Sequence, residues 1–223
     1  MTIKQSIIHG IAGMGIDVPE AAAMRLAHYV ALLGRWNRVY NLTAVRRPED
    51  IVARHILESL SILPWVQGYR VLDVGSGAGL PGIPLAMARP DLAFTLLDSN
   101  GKRTRFMTQA VAELGLTNVR VVRCRVEEYC PDTLFDSVLS RAFASLAIML
   151  ENAGRLCDAN GCVLAMKGVR PDSELADVPS GYRLVGVYPL AVPGLNADRH
   201  LVHCAPVPEM ETVPCAQAGD LLS

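Results

Sequence analysis

The chain has 223 residues, 51% of them apolar and 19% charged, with a formal net charge of −1. That length makes one domain the default, that composition excludes a disordered chain, and that charge excludes a protein coated all over in polyanion-binding surface. The first residues carry Lys4, Gln5 and His9 where a signal peptide would be apolar, and the run Ala21 to Leu33 is interrupted by Arg25 and His28. A soluble, cytoplasmic protein without membrane attachment is expected. Cys124, Cys130, Cys157, Cys162, Cys204 and Cys215 form no C-x-x-C pair and sit mostly in apolar runs, as reduced, buried thiols do. His200 and His203 are three apart on a strand pattern and point to opposite faces, so no metal site is expected.

Residues 2–14 read as a short amphipathic helix closed by Gly13-Met14-Gly15. Asp17 and Pro19 open a second helix, in which Leu26, Tyr29, Val30, Leu33, Asn37 or Trp36, and Tyr40 recur at helical spacing and bury one stripe. Asn41-Leu42-Thr43 breaks it. Pro48-Glu49-Asp50 starts a third helix running to Leu63-Pro64, with acids at its positive end. Together these make an N-terminal helical segment over residues 1–66. From Arg70 the pattern changes to strands at 70–74, 93–97, 118–123, 135–140, 161–166, 182–189 and 200–206. Helices at 80–89, 101–115, 145–157 and 171–177 separate them. Such alternation implies a parallel sheet covered on both faces. The stretch Pro193-Gly194-Leu195-Asn196 is too short for a helical crossover, so the last two strands should pair antiparallel at a sheet edge. A domain over 67–207 and a flexible tail over 208–223 complete the expected organisation.

The densest chemical signal is the strand–turn–helix Val71-Leu72-Asp73-Val74-Gly75-Ser76-Gly77-Ala78-Gly79-Leu80-Pro81-Gly82-Ile83-Pro84. Glycines there adopt positive φ cheaply and let a ligand lie against backbone. The spacing Gly77-x-Gly79-x-x-Gly82 matches the dinucleotide fingerprint. That register begins two residues late, after Gly75-Ser76, and Pro81 removes an amide where a pyrophosphate needs donors. Asp73 would repel a pyrophosphate but attract the ammonium and sulfonium of S-adenosylmethionine. Asp98, ending the run Phe94–Leu97, can accept both ribose hydroxyls of either cofactor. A plain turn with no ligand leaves the two strand-end carboxylates unexplained. The residues therefore favour S-adenosylmethionine, held by Asp73, Gly75, Gly77, Gly79 and Asp98. With five alternating strands and a closing hairpin, this is the outline of an α/β class I S-adenosylmethionine-dependent methyltransferase. That fold is Rossmann-like, with a seven-stranded, mostly parallel sheet and a C-terminal antiparallel hairpin.

Between Gly101 and Arg125 six basic residues (Lys102, Arg103, Arg105, Arg120, Arg123, Arg125) face one acid, Glu113. A solvated charged face is the plain reading, but the cluster begins beside the glycine turn, which makes a polyanionic substrate plausible.

Six blocks then occur in one order: Trp36-Asn37-Arg38-Val39-Tyr40-Asn41-Leu42-Thr43, the turn Asp73–Pro84, Leu97-Asp98-Ser99-Asn100-Gly101-Lys102-Arg103, Ser140-Arg141-Ala142-Phe143-Ala144-Ser145-Leu146, Met166-Lys167-Gly168 and Arg199-His200-Leu201-Val202. Together they closely resemble the ribosomal RNA small-subunit methyltransferase G family, also called glucose-inhibited division protein B, over about residues 20–204. The resemblance implies methyl transfer from S-adenosylmethionine to N7 of a guanosine in bacterial 16S ribosomal RNA, on the RNA, the small ribosomal subunit or a precursor particle. It implicates Gly75, Leu80, Val126, Glu127 and Arg141 as cofactor contacts. One departure is visible: His55-Ile56-Leu57-Glu58-Ser59 stands where the family usually has His-x-x-Asp-Ser.

For an RNA substrate, Lys102, Arg103 and Arg105 are the leading phosphate contacts, with Lys167, Arg199 and His200 at other strand ends. Arg35, Asn37, Arg38 and Asn41 extend that surface, Trp36 reads as core, and Phe143 is placed to stack on a flipped guanine. The chain lacks the Asn/Asp-Pro-Pro-aromatic motif of exocyclic amine methylation and a cysteine nucleophile after the fourth strand. Guanine N7 carries an in-plane lone pair and no proton, so it needs no general base. Arg141 would act by positioning. A methyltransferase for small molecules or proteins, and a dinucleotide-binding oxidoreductase or redox sensor, are the competing readings.

Overall fold

A computed structural model describes residues 1–141 and 145–208. Phe143 and the tail from residue 209 lie outside the described residues. The N-terminal part contains α1 (Ile3–Met14) and α2 (Glu20–Tyr40), followed by α3 (Pro48–Ile51), a π-helical turn (Val52–Leu57) and α4 (Glu58–Leu60). Then come β1 (Arg70–Val74), α5 (Gly82–Ala88), β2 (Ala93–Asp98), α6 (Gly101–Glu113) and β3 (Val119–Arg123). After β4 (Phe135–Ser140) follow α7 (Leu146–Ala153), β5 (Cys157–Lys167), α8 (Asp172–Leu175), β6 (Tyr182–Pro189) and β7 (His200–Pro206).

The strands form one seven-stranded sheet in the order β3-β2-β1-β4-β5-β7-β6. The first five are parallel, while β7 runs antiparallel to both β5 and β6. Side chains alternate between two apolar clusters as a pleated strand requires. Val71, Leu139, Cys162, Leu164 and Met166 face the cluster shared with α2, α5 and α6. Leu72, Val74, Val138, Val163 and Ala165 face the cluster built on α7. Both faces are thus covered, so apolar residues can occupy successive positions of the central strands, as at Val71-Leu72 and Val163-Leu164-Ala165-Met166. The order reverses between β1 and β4, and the carboxyl ends of strands at such a point form a ligand crevice.

The N-terminal helices pack into that first cluster through Ile7, Leu26, Tyr29, Leu33 and Ile56. Thr2 and Gln5 form a capping box on α1, and Gly15 ends it in the left-handed region at φ 64°. Tyr29, fully buried, donates its hydroxyl to Ala78 O in the glycine turn. Burial pushes the phenol strongly up, so it stays a donor at any physiological pH. Tyr29→Phe leaves Ala78 O buried without that donor. We expect a loss of about 1–2 kcal/mol in stability, read by urea unfolding, together with weaker cofactor binding; wild-type values for both would place the turn's support elsewhere.

The third expected helix is not uniform. Its middle, Val52–Leu57, widens into the π turn, a geometry frequent at functional sites. Arg54 and His55 lie on it.

Candidate active site

The glycine turn is clipped onto the end of β2. Gly75 and Ser76 donate their amides to Leu97 O at 2.8 and 3.1 Å, and Gly77 donates to Asp98 Oδ2 at 2.9 Å. Gly79 and Leu80 both donate to Ser76 O, and Gly82 donates to Asp73 Oδ2 at 2.9 Å. Gly75, Gly77 and Gly79 all hold positive φ, which a side chain would resist. Gly82 has a different reason: a Cβ there would lie 2.2 Å from Leu96 Cδ2. The turn therefore spends its amides inside the protein. A pyrophosphate, which is held by free amides at this turn, would find few.

Beside the turn lies a crevice of about 230 Å³ walled by Gly75, Asp98, Ser99, Cys124, Val126 and Glu127, with Arg103 at its edge. Gly75 leaves its floor open, since a Cβ there would meet nothing within 4 Å. The Asp98 carboxylate accepts from the amides of Gly77 and Asn100, with Arg103 Nη1 at 3.5 Å. A carboxylate offers about four lone-pair sites, so it keeps capacity for hydroxyl donors. Arg155, which no sequence signal singles out, donates from one nitrogen to Val126 O at 2.6 Å, Glu127 O at 3.1 Å and Tyr129 O at 2.9 Å. It pins the wall opposite the turn.

Gly77, Gly79 and Leu80 build the turn without walling the crevice. Asp73 lies beneath the turn, 0% exposed, rather than in the crevice. Its Oδ2 takes the Gly82 amide and its Oδ1 has no hydrogen-bond partner among the described residues. Burial raises this carboxyl to about 6, against the pull of the Gly82 amide, the Ser76 hydroxyl and the Arg141 guanidinium.

Arg141, at the end of β4, turns to a second crevice of about 330 Å³. Its walls include Val45, Arg54, His55, Glu58, Lys167 and Arg199. Arg141 Nη1 donates to Arg54 O at 3.3 Å and stands 3.4 Å from His55 Nδ1. His55 Nδ1 faces Arg54 O at 2.8 Å and its Nε2 faces Thr43 Oγ1 at 2.7 Å. A carbonyl only accepts, so Nδ1 carries the proton and Nε2 accepts from the Thr43 hydroxyl. Burial and the Arg141 charge lower His55 to about 4, so it is neutral at pH 7. Asn37, which the sequence offers both to the buried stripe and to the RNA surface, is buried; it accepts from Thr43 N at 2.9 Å and donates to Val45 O at 3.1 Å. Asn41 supplies the left-handed residue, φ 49°, that ends α2. The Trp36–Thr43 block thus shapes the loop that holds His55, while Trp36 packs on Phe106 and Tyr40.

Two of the expected phosphate contacts are already matched. Lys167 Nζ pairs with Glu174 at 2.8 Å, and Arg199 Nε pairs with buried Glu58 at 2.7 Å. The longer glutamate, where the family usually has aspartate, is what Arg199 holds in this chain. Arg103 lies at the cofactor-side crevice, Lys102 and Arg105 are exposed on α6, and His200 Nδ1 donates to Gly168 O at 3.1 Å. Among the described residues no group of His, Cys, Asp or Glu can hold a metal ion, and no helix is long and apolar enough to cross a membrane.

Strand order, turn and crevice define the fold as that of a Rossmann-like methyltransferase. The glycopeptide N-methyltransferase MtfA, solved with S-adenosyl-L-homocysteine, superposes with a TM-score of 0.60 at 12% identity over 69% of this chain and 87% of its own. A SAM-dependent methyltransferase from Aquifex aeolicus superposes with a TM-score of 0.54 at 20% identity over 70% and 92%. The family model for rRNA small subunit methyltransferase G matches residues 22–202. The ribosomal RNA small subunit methyltransferase G of Alkalilimnicola ehrlichii is 53% identical over 193 residues, 86% of this chain and 88% of the relative. That of Nitrosococcus oceani is 49% identical over 206 residues, 92% and 96%. The chain belongs to the rRNA small subunit methyltransferase G family.

Proposed function

We propose that this protein transfers the methyl of S-adenosylmethionine to N7 of a guanosine in 16S ribosomal RNA, acting in the cytoplasm on the RNA or a small-subunit particle. The observation that carries the cofactor is the glycine turn, whose amides are consumed internally beside an open, carboxylate-lined crevice. That arrangement suits a cationic cofactor with a ribose and disfavours a pyrophosphate. Bound S-adenosylmethionine supplies an electrophilic methyl on a sulfonium. Asp98 is suited to the ribose hydroxyls, and Val126 and Glu127, fixed by Arg155, to the base. Asp73, with an unused Oδ1 under the turn, adds negative charge below the cationic end.

Guanine N7 would accept that methyl through its own in-plane lone pair, so no residue of the chain would have to move a proton. The protein's task is placement. An arginine fork on guanine O6 and N7, the commonest guanine contact, would occupy the attacking lone pair. Arg141 must therefore engage the nucleotide elsewhere, and a phosphate fits its charge and its crevice beside Arg54. Lys102 and Arg105 on α6 extend a phosphate-binding surface.

Mass spectrometry of ribosomal nucleosides tests this reading: cells lacking the gene should lose one 7-methylguanosine from 16S RNA, and an unchanged nucleoside profile sinks it. Asp98→Ala should weaken cofactor binding by about 1–3 kcal/mol, the scale of a lost charge-assisted hydrogen bond. Calorimetry reads that directly. Unchanged affinity in a folded variant would put Asp98 outside the site, and NADH binding at the wild-type crevice would favour the dinucleotide reading.

A further inference from the structure

An apolar hollow among the N-terminal helices has no role in the reaction. It is about 530 Å³, floored by Ala27, Val30, Ala31 and Gly34 of α2 and rimmed by Arg38 and Arg46. We infer that this hollow holds a nucleotide of the RNA substrate away from the reacting guanosine, a base against the α2 floor and its phosphate on the arginine rim. The inference rests on the proposed RNA substrate and adds a second contact site to it.

Gly34 is the first reason. It sits in the interior of a 21-residue helix, and a Cβ there would meet nothing within 4 Å. Alanine would fit and would strengthen the helix by about 1 kcal/mol. A glycine with no steric need inside the protein keeps the backbone open to something outside it. Ala27, Ala31 and Gly34 lie at i, i+4 and i+7, on one face, so the floor is shallow and flat, as a base face requires.

Charge is the second. Among the described residues no carboxylate lines the hollow. Arg38 and Arg46 are exposed; Arg46 donates to the neutral Asn41 amide at 3.3 Å, and Arg38 has no carboxylate partner among the described residues. Cationic edges suit the backbone of a single strand and the apolar floor gives a base a surface to pack on, while the aromatic faces that such grooves use for stacking, Trp36 and Tyr40, line the neighbouring hollow.

Continuity is the third. Arg35 borders both this hollow and the next, which contains Trp36, Tyr40 and Glu113. Trp36 in turn borders a third, at Gly101, Arg105 and Arg123, on the α6 side of the cofactor crevice. Among the described residues Glu113 is the one carboxylate lining these three hollows, and Arg35 and His28 hold it at 2.7 and 2.9 Å. A strand leaving the active site over α6 meets cations and aromatic faces as far as Arg38.

Two variants test the assignment, each read by binding to protein-free small-subunit RNA at several salt concentrations, with calorimetry of S-adenosylmethionine and circular dichroism alongside. Gly34→Leu fills the hollow without changing charge; RNA affinity should fall roughly tenfold with the salt slope unchanged. The double variant Arg38→Gln/Arg46→Gln should also bind RNA more weakly, with a log–log salt slope shallower by about 1–2. Both should keep wild-type cofactor affinity and spectrum. Wild-type RNA affinity in folded Gly34→Leu overturns the inference. So does a defect confined to small-subunit particles, which would put a ribosomal protein in the hollow. A wild-type chain that neither binds nor methylates the RNA would instead bring down the proposed function, and this inference with it.

Discussion

Arg141→Ala is expected to lower kcat/KM for RNA methylation by roughly 10²–10³-fold, the usual cost of losing a placed charge in an active site. The reason is its partners. Within its crevice Lys167 and Arg199 are matched by Glu174 and Glu58, whereas among the described residues the hydrogen-bond contacts of Arg141 are a carbonyl oxygen and the neutral His55 ring. Its charge is available to a phosphate, and substituting it unpairs no buried acid in direct contact. Arg141→Lys should restore only part of the rate, because a point charge on a flexible stem cannot reproduce the fork. The family resemblance makes Arg141 a cofactor contact, but its side chain lines the crevice of His55 and Arg54 and not that of Asp98. Calorimetry with S-adenosylmethionine distinguishes the two roles. An affinity near wild type in Arg141→Ala places the defect on the RNA side, a tenfold loss places it on the cofactor side, and full activity in a folded variant removes Arg141 from both.

The elements readable from the sequence are those dictated by local pattern. β1 and β4 keep the ends expected of them, because both are short segments with adjacent apolar residues, Val71-Leu72 and Val138-Leu139, buried on the two faces of the sheet. The closing hairpin follows from a connection too short for a crossover. What escapes is whatever depends on a distant partner. Glu58 and Arg199 are 141 positions apart in the chain, so nothing local marks either as neutralised. Asn37 suits the buried stripe or the RNA surface equally until its amide is seen to match the Thr43 and Val45 backbone. The π turn at Val52–Leu57 has the same composition as an ordinary amphipathic helix, yet it carries His55. Arg155 ends an apolar helix in sequence and fixes the crevice wall in space. The Asp73–Asp98 pair is the opposite case: both carboxylates end strands, and topology alone brings them to one side of the sheet.

Asp73 and His55 set opposite acid responses, and separating them should change the pH profile of stability by about 3 kcal/mol each. Asp73 has its folded-state carboxyl raised to about 6 from 3.8. The folded protein therefore holds that proton longer than the unfolded chain, and stability falls as pH rises from about 4 to about 6. Above that range the charged form is favoured by the Gly82 amide, with the Ser76 hydroxyl and the Arg141 guanidinium acting in the same direction. His55 has its folded-state value lowered to about 4 from 6.5. The unfolded chain takes that proton first, so stability falls as pH drops from about 6.5 to about 4. Over this window the two contributions nearly cancel in the wild type. Asp73→Asn removes one of them while its amide oxygen can still accept from Gly82 N, so its stability should decline more steeply than wild type on acidification from pH 7 to pH 4. His55→Gln removes the other and should give the reverse, a variant that gains on wild type as the pH falls. Urea unfolding at half-unit pH steps measures both, and the slope carries the test, since any amide left without a partner shifts all points of one variant equally. Parallel profiles for wild type and both variants would mean that neither group titrates as its surroundings dictate.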